Sequence, residues 1–307
     1  MPDNKILVIR GGAIGDFILT LPVLAALRRQ FPQARLEVLG YPHIARLALA
    51  GGLADDVRPI ESRALAGFFA REGELDQTLQ SYFESFAVIV SFLYDPDRIF
   101  QANIARCSRA QFIVGPYRPD DTAGLHATEA LLKPLERLAI FDADSVPRLA
   151  LNSQLPALNQ LALHPGSGSE RKNWPEANWA ELLQRLAAET SLQFLLIGGE
   201  AESDRLPRLA QVLPAGRCET LASQPLVEVA RRLSLCAGFV GHDSGITHLA
   251  AALGVPTLAL WGPTPEAVWA PRGERVTILR APQGPASKSP TEVLSQLRRL
   301  LPRMDSV

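Results

Sequence analysis

The sequence predicts an α/β protein made of two successive halves, each wound on a parallel sheet. Three observations carry that reading. Short apolar runs end in glycine-containing turns, first at Lys5–Arg10 before Gly11-Gly12 and again at 161–164 before Pro165-Gly166. Between such runs lie segments with apolar residues at helical spacing, the pattern of βαβ units. The alternation fades over 141–160, where Pro147, Pro156 and short polar residues occur, and then restarts, so a domain boundary falls there.

In the first half, Lys5–Arg10 reads as a buried parallel strand. Residues 17–31 follow at helical spacing and finish with Arg28-Arg29, favourable at a helix C-terminus, before Pro32. Strands are then expected at Arg35–Gly40, 57–60, 86–93 and 111–115. The second half opens with a strand at 161–164 and continues with one at 192–198, a helix to about Leu213 and a helix over 226–236. Strands follow at 238–241 and Thr257–Trp261, with 276–279 as an edge strand. Residues 291–301 read as an amphipathic helix able to pack back across the boundary. The expected domains are therefore 1–155 and 156–289, two Rossmann-like halves, with a terminal helix at 290–303.

Composition narrows the function classes. The chain has 307 residues, 47% apolar and 21% charged, which suits a soluble globular protein of one or two domains. A net charge of −1 gives no support to a nucleic-acid binder. Arg58, Arg63 and Arg71 read as a solvated surface, with a local membrane contact left open. Cys107, Cys218 and Cys236 have no metal-ligand spacing and read as reduced, buried, small apolar residues. The apolar N-terminus is interrupted by Asp16 and glycines, and Arg28-Arg29 stand in the wrong place for an export signal. No run of about eighteen apolar residues occurs. A cytoplasmic location is expected, with peripheral attachment at the inner face of the plasma membrane left open.

Three strand ends carry chemistry. The first is Arg10-Gly11-Gly12-Ala13-Ile14-Gly15-Asp16. It is not G-x-G-x-x-G, and an acid here would repel a pyrophosphate. Two readings of Asp16 are open: a favourable charge at a helix N-terminus, worth roughly 0.3–1 kcal/mol, or a base for a hydroxyl nucleophile. The second is His164-Pro165-Gly166-Ser167-Gly168-Ser169-Glu170-Arg171-Lys172-Asn173-Trp174-Pro175, leading to a helix near Ala177. Its hydroxyls and free N–H groups can cradle a diphosphate, and Arg171 or Lys172 can neutralise a leaving group. Trp174 reads as packing beside Pro175. The third is His242-Asp243-Ser244-Gly245-Ile246-Thr247-His248, a strand end and polar turn entering an Ala-rich helix, where anions bind readily. An ordinary N-cap at Asp243 or Ser244, with His248 packed, is the alternative. In addition, Glu200 or Glu202 after Gly198-Gly199 can hold ribose hydroxyls or begin a helix, and Trp261-Gly262-Pro263-Thr264 can edge a base or sugar pocket.

Taken together, these segments resemble glycosyltransferase family 9, the ADP-heptose:lipopolysaccharide heptosyltransferases. The resemblance runs over nearly the whole chain and is most specific in "FVGHDSGITHLAAALGVPTLALWGPT". It implies a GT-B fold, two Rossmann-like parallel-sheet domains facing a cleft, with acceptor on the first and nucleotide-sugar on the second. By motif, Asp16 matches the catalytic base and Lys172 the cation facing the donor diphosphate. Ser167 falls at a phosphate-binding hydroxyl, with Gly168, Ser169 and Arg171 beside it. Asp243, Ser244, Gly245 and His248 match the donor turn, and Glu202 matches the ribose-side carboxylate. Gly12, Ala13 and Gly15 lie on the acceptor side. Two departures stand out: Gly11-Gly12-Ala13 replaces hydroxyl residues common in the first loop, and the loop before Lys172 is slightly longer.

The expected activity is inverting transfer of a heptose-like sugar from an ADP-sugar to a lipopolysaccharide-type acceptor at the inner membrane surface. Asp16 would take the acceptor proton, while Lys172 and Ser167 would receive the departing diphosphate. No cofactor and no metal are expected, because no acidic cluster has ligand spacing and cations already serve the phosphates. A dinucleotide-dependent oxidoreductase or epimerase is the alternative enzyme. A catalytically inactive sugar-nucleotide-binding protein is the alternative from another class.

Overall fold

Two all-parallel sheets organise the chain. The computed structural model describes residues 5–151 and 158–301 and divides into units 1–146 and 147–307. In the first unit the strands β1 (Lys5–Arg10), β2 (Arg35–Gly40), β3 (Asp56–Pro59), β4 (Val88–Ser91) and β5 (Gln111–Val114) lie in the order β3-β2-β1-β4-β5. β1 is central, so both its faces are covered: Leu7 and Ile9 are fully buried, and Ile6 and Val8 nearly so. That is why it reads as a continuous apolar run rather than an alternating one.

The helices of this unit are α1 (Ile14–Gln30), α2 (Pro42–Ala50), α3 (Gln77–Glu84), α4 (Ile99–Ala105) and α5 (Ala127–Leu132). α1 begins at Ile14, earlier than the periodicity indicates, because Gly15 and Asp16 hide its first turn. Gly15 is a poor helix former, but the Asp16 carboxylate accepts the Ala13 N–H at 2.9 Å and closes the N-terminus. The next stretch, 17–24, is buried on all sides. The chain winds outward from β1 through β3, then crosses to β4 and β5. The order therefore reverses between β1 and β4, and such reversals leave a ligand crevice beyond the carboxyl ends of the strands.

In the second unit β6 (Leu158–His164), β7 (Gln193–Gly198), β8 (Cys218–Ala222), β9 (Cys236–His242), β10 (Thr257–Trp261) and β11 (Val276–Arg280) are ordered β11-β10-β9-β6-β7-β8. Here the reversal falls between β6 and β9. The helices are α6 (Glu176–Glu189), α7 (Arg205–Gln211), α8 (Leu226–Leu233), α9 (Gly245–Ala252), α10 (Glu266–Trp269) and α11 (Pro290–Leu300). The periodicity gave no sign of β8. It is an edge strand in which Leu221 alone is buried, so it needs no apolar run. α8 stops at Leu233, and Cys236, expected as its last residue, opens β9.

The second core gathers Trp174, Trp179, Leu182, Phe194 and Val240 with Val293, Leu294 and Leu297 of α11. α11 packs on α6, β10 and β11, so its apolar face serves this unit. Its start is fixed by a reciprocal box: Ser289 N–H donates to Glu292 at 2.9 Å and Glu292 N–H to Ser289 Oγ at 3.3 Å. The 155/156 junction lies outside the described residues, as do 302 and 303. Leu149 already belongs to the second unit, where its N–H donates to Ala252 O at 2.8 Å.

All four tyrosines lie in the first unit and all four tryptophans in the second. Cys236 is buried, while Cys107 and Cys218 are half-buried, less covered than expected. Among the described residues no helix is long and apolar enough to cross a membrane.

Candidate functional site

The sequence-predicted residues fall at the two strand-order reversals, one set in each unit, with Glu202 standing after the neighbouring strand β7. In the first unit the 11–16 loop leaves β1 and turns into α1. Gly12 has φ +97°, and a Cβ there would stand 2.7 Å from Asp16 Oδ2. A side chain at this position is thus excluded twice, by backbone conformation and by the carboxylate folded over it. Gly12 and Ala13 are exposed, Gly15 and Asp16 half-buried, so the loop offers backbone and one carboxylate to a ligand.

Beneath Asp16 lies Arg10, which the sequence reading left without a role. Its side chain is 3% exposed, and Nη2 stands 3.5 Å from Asp16 Oδ1. Nη2 also donates to Asp16 O at 3.4 Å and Nη1 to Tyr117 O at 2.8 Å, while the guanidinium lies 5.9 Å from the centre of the Phe92 ring. Burial lowers the Arg10 pKa and the Asp16 charge works against that shift. A cation this deep is tolerable only with such partners. The available signal was a charge closing the apolar run of residues 6–9.

In the second unit β6 and β9 end side by side. The 165–172 loop leaves β6, and the 243–244 turn leaves β9 into α9. Lys172 Nζ meets Asp243 Oδ2 at 2.6 Å, and Thr264 Oγ1 donates to the same oxygen at 2.5 Å. Lys172 is 36% exposed and Asp243 12%, so the cation faces outward over its acid. Ser244 caps α9, its Oγ accepting the Thr247 N–H at 3.4 Å. Gly245 opens the helix, and His248 is buried in its second turn with its ring edge-on to Trp261. Ser167 Oγ lies 2.7 Å from Asn173 Oδ1 and 2.9 Å from Ser169 O. Gly168 (φ +69°) and Arg171 are exposed at the rim.

His242 latches the two strand ends together. Its Nε2 accepts the Trp174 N–H at 2.8 Å, so Nδ1 carries the proton and faces Gly166 O at 3.3 Å. Burial pushes its pKa down to about 3, which keeps the imidazole neutral in that tautomer. His164 is likewise held down by burial, with Glu202 opposing. Trp174 is fully buried and donates through Nε1 to Lys288 O at 2.8 Å, which makes it core. Glu202 is buried beside the loop, Oε2 accepting the Gly199 N–H at 2.9 Å, whereas Glu200 is exposed. A Cβ on Gly166 would come within 1.8 Å of Glu202 Oε1, so glycine alone fits there. Arg205 was not anticipated. From α7 it donates to Pro165 O at 2.9 Å and reaches Glu170 and Glu176 at 3.5 and 3.6 Å.

Each sheet reversal thus ends in a glycine-bordered loop, which carries a carboxylate in the first unit and a cation over a helix N-terminus in the second. Comparison with known proteins adds a family match. The family described as glycosyltransferase family 9 (heptosyltransferase) matches residues 147–296. Lipopolysaccharide heptosyltransferase 2 of Salmonella typhimurium is 26% identical over 90% of this chain and 88% of its own length. Lipopolysaccharide heptosyltransferase 1 of Pseudomonas aeruginosa is 37% identical, over 42% of this chain and about a third (33%) of its own length. The structure of E. coli heptosyltransferase WaaC with ADP superposes with a TM-score of 0.77 at 20% identity, covering 96% of this chain and 99% of that one. Residues 147–296, the greater part of the second unit, carry the glycosyltransferase family 9 match.

Proposed function

We propose that this protein transfers a heptose from ADP-heptose to a hydroxyl of a lipopolysaccharide-core acceptor, with inversion at the anomeric carbon. The observation that carries the reading is Lys172, set over Asp243 at the α9 N-terminus where the second sheet reverses. Backbone N–H groups, a hydroxyl and a cation meet there, the donor set a diphosphate needs. The relatives' names supply the sugar and nucleotide.

In this reading the second unit binds the donor and the first binds the acceptor. Asp16 takes the proton of the acceptor hydroxyl as its oxygen bonds to the anomeric carbon on the face opposite the nucleotide. The bond from that carbon to the diphosphate oxygen breaks, and ADP leaves with the electron pair. Lys172, Ser167 and the α9 N-terminus receive the charge that develops on it, with Gly168, Ser169 and Arg171 lining the same loop. Glu202 is the candidate for the ribose hydroxyls, and Arg10 is a positioning residue that fixes the Asp16 carboxylate. Such preorganised charge stabilisation typically supplies about 2.7–4 kcal/mol per donor.

The test is hydrogen exchange with ADP, joined to a transfer assay using ADP-heptose and a heptose-deficient lipopolysaccharide core. ADP is expected to protect 167–172 and 243–248. Product NMR is expected to show the anomeric configuration opposite to that of the donor. Protection confined to 11–16 overturns the assignment of donor to the second unit.

A further inference from the structure

Beside Asp16 the first unit carries an exposed aromatic pair that neither the sequence motifs nor the reaction above uses. Tyr94 is 68% exposed and Tyr117 50% exposed, and their rings meet edge to face with centroids 4.7 Å apart. Tyr94 follows β4 and Tyr117 follows β5, so both leave the carboxyl ends of strands, the side on which β1 delivers Asp16.

Several contacts fix the pair. Arg10 donates to Tyr117 O at 2.8 Å while standing 3.5 Å from Asp16 Oδ1, so one buried guanidinium ties the aromatic segment and the carboxylate together. Gly115 lies against Phe92: a Cβ there would come 2.3 Å from the ring, so the missing side chain lets the two segments close. Phe92 itself is buried and packs under Arg10. Beyond Tyr117, Asp120 accepts from Thr122 N–H and Oγ1, both at 2.8 Å, and braces the loop. Two large rings are thus held toward solvent on a base braced by these contacts.

We propose that Tyr94 and Tyr117 form a subsite for a pyranose ring of the acceptor saccharide, placing its hydroxyl at Asp16. A pyranose presents a face of C–H groups rimmed by hydroxyls. Tyrosine offers a flat apolar face with a polar tip, which matches that pattern and costs little ordering entropy. The proposal rests on the transferase reading for the direction of the acceptor, and it concerns recognition of the sugar alone.

The probe is a deacylated, heptose-free lipopolysaccharide inner-core oligosaccharide. Saturation-transfer NMR on the full-length protein, deuterated except at tyrosine, is expected to pass magnetisation to one C–H face of a sugar ring. Tyr94→Ala and Tyr117→Ala are each expected to raise the acceptor KM roughly five- to tenfold. The affinity for ADP should stay unchanged. Tyr94→Phe and Tyr117→Phe, which keep the ring, should retain wild-type KM, whereas Tyr94→Leu should not. Absence of saturation transfer, or an acceptor KM within twofold of wild type in both alanine variants, overturns the subsite. Failure of the transferase reading has a different signature, loss of ADP binding by the unmodified protein in calorimetry.

Discussion

The two half-sites are built from the same parts in opposite order. In the first unit the cation is buried and the carboxylate rides above it: Arg10 is 3% exposed and Asp16 35%. In the second the carboxylate lies deeper and the cation rides above: Asp243 is 12% exposed and Lys172 36%. Each pair sits where its sheet reverses direction, and each leaves one charge facing outward. One unit thereby presents a carboxylate and the other an ammonium group, though both are parallel α/β layers. The chemistry of such a sheet is set by which member of the ion pair is placed on top.

That contrast is broken most directly at Asp16. Asp16→Asn should lower transfer by roughly 10²–10⁴ while leaving ADP affinity at wild-type level in calorimetry. A large loss of ADP affinity would move Asp16 to the donor and erase the distinction between the units. Lys172→Ala should act on the other side, weakening ADP binding and slowing transfer by about 10²–10³. A wild-type rate at saturating ADP-heptose would make Lys172 a surface cation only.

A third test uses the buried histidine. His242 has its pKa depressed to about 3, against about 6.5 in an unfolded chain. Below pH 6.5 the unfolded state therefore binds a proton that the fold excludes. Stability is full above that pH and declines as pH falls toward 3, with a slope approaching about 1.4 kcal/mol per unit for this group. Urea titrations followed by tryptophan emission report the second unit alone, because all four tryptophans lie there. His242→Asn should lower the slope by close to one proton; an unchanged slope would mean that His242 is not the group excluded. The smallest effect is expected for Thr264→Val, which removes one hydrogen bond from Asp243. A bond to a charged acceptor is worth about 1.5–3 kcal/mol, and only the part of it that changes on ADP binding should appear, as a few-fold weakening of ADP affinity.

The sequence made the parallel sheets legible because strands covered on both faces are built on unbroken apolar runs, residues 6–9 in β1 and 258–261 in β10. It hid β8, whose edge position requires a single buried side chain, and it placed the start of α1 late, since Gly15 and Asp16 carry no helical periodicity. The site shows the same division. Asp16, Lys172 and Asp243 stand out within their motifs, whereas Arg10 and Thr264 lie in quoted motifs with no sign that they pair with Asp16 and Asp243. A partner is chosen by proximity in space, over 71 residues for Lys172 and Asp243, and nothing local records it. His242 was noticed as one of two imidazoles in the turn, yet its role as a latch depends on Trp174 and Gly166, both far away in the chain.

The Lys172–Asp243 contact has a consequence for selectivity in a crowded ionic medium. A bare lysine at a helix N-terminus would attract any small anion, and phosphate or chloride would compete with substrate. Here the resting cation already has a counter-ion at 2.6 Å, itself held by Thr264. An incoming anion must replace that carboxylate, and one able to form only a single contact gains little by doing so. A ligand that also fills the loop and the helix end recovers the difference several times over. If Lys172 receives the donor diphosphate as proposed, the internal carboxylate is a reference competitor, present at fixed local concentration, against which every solute is measured.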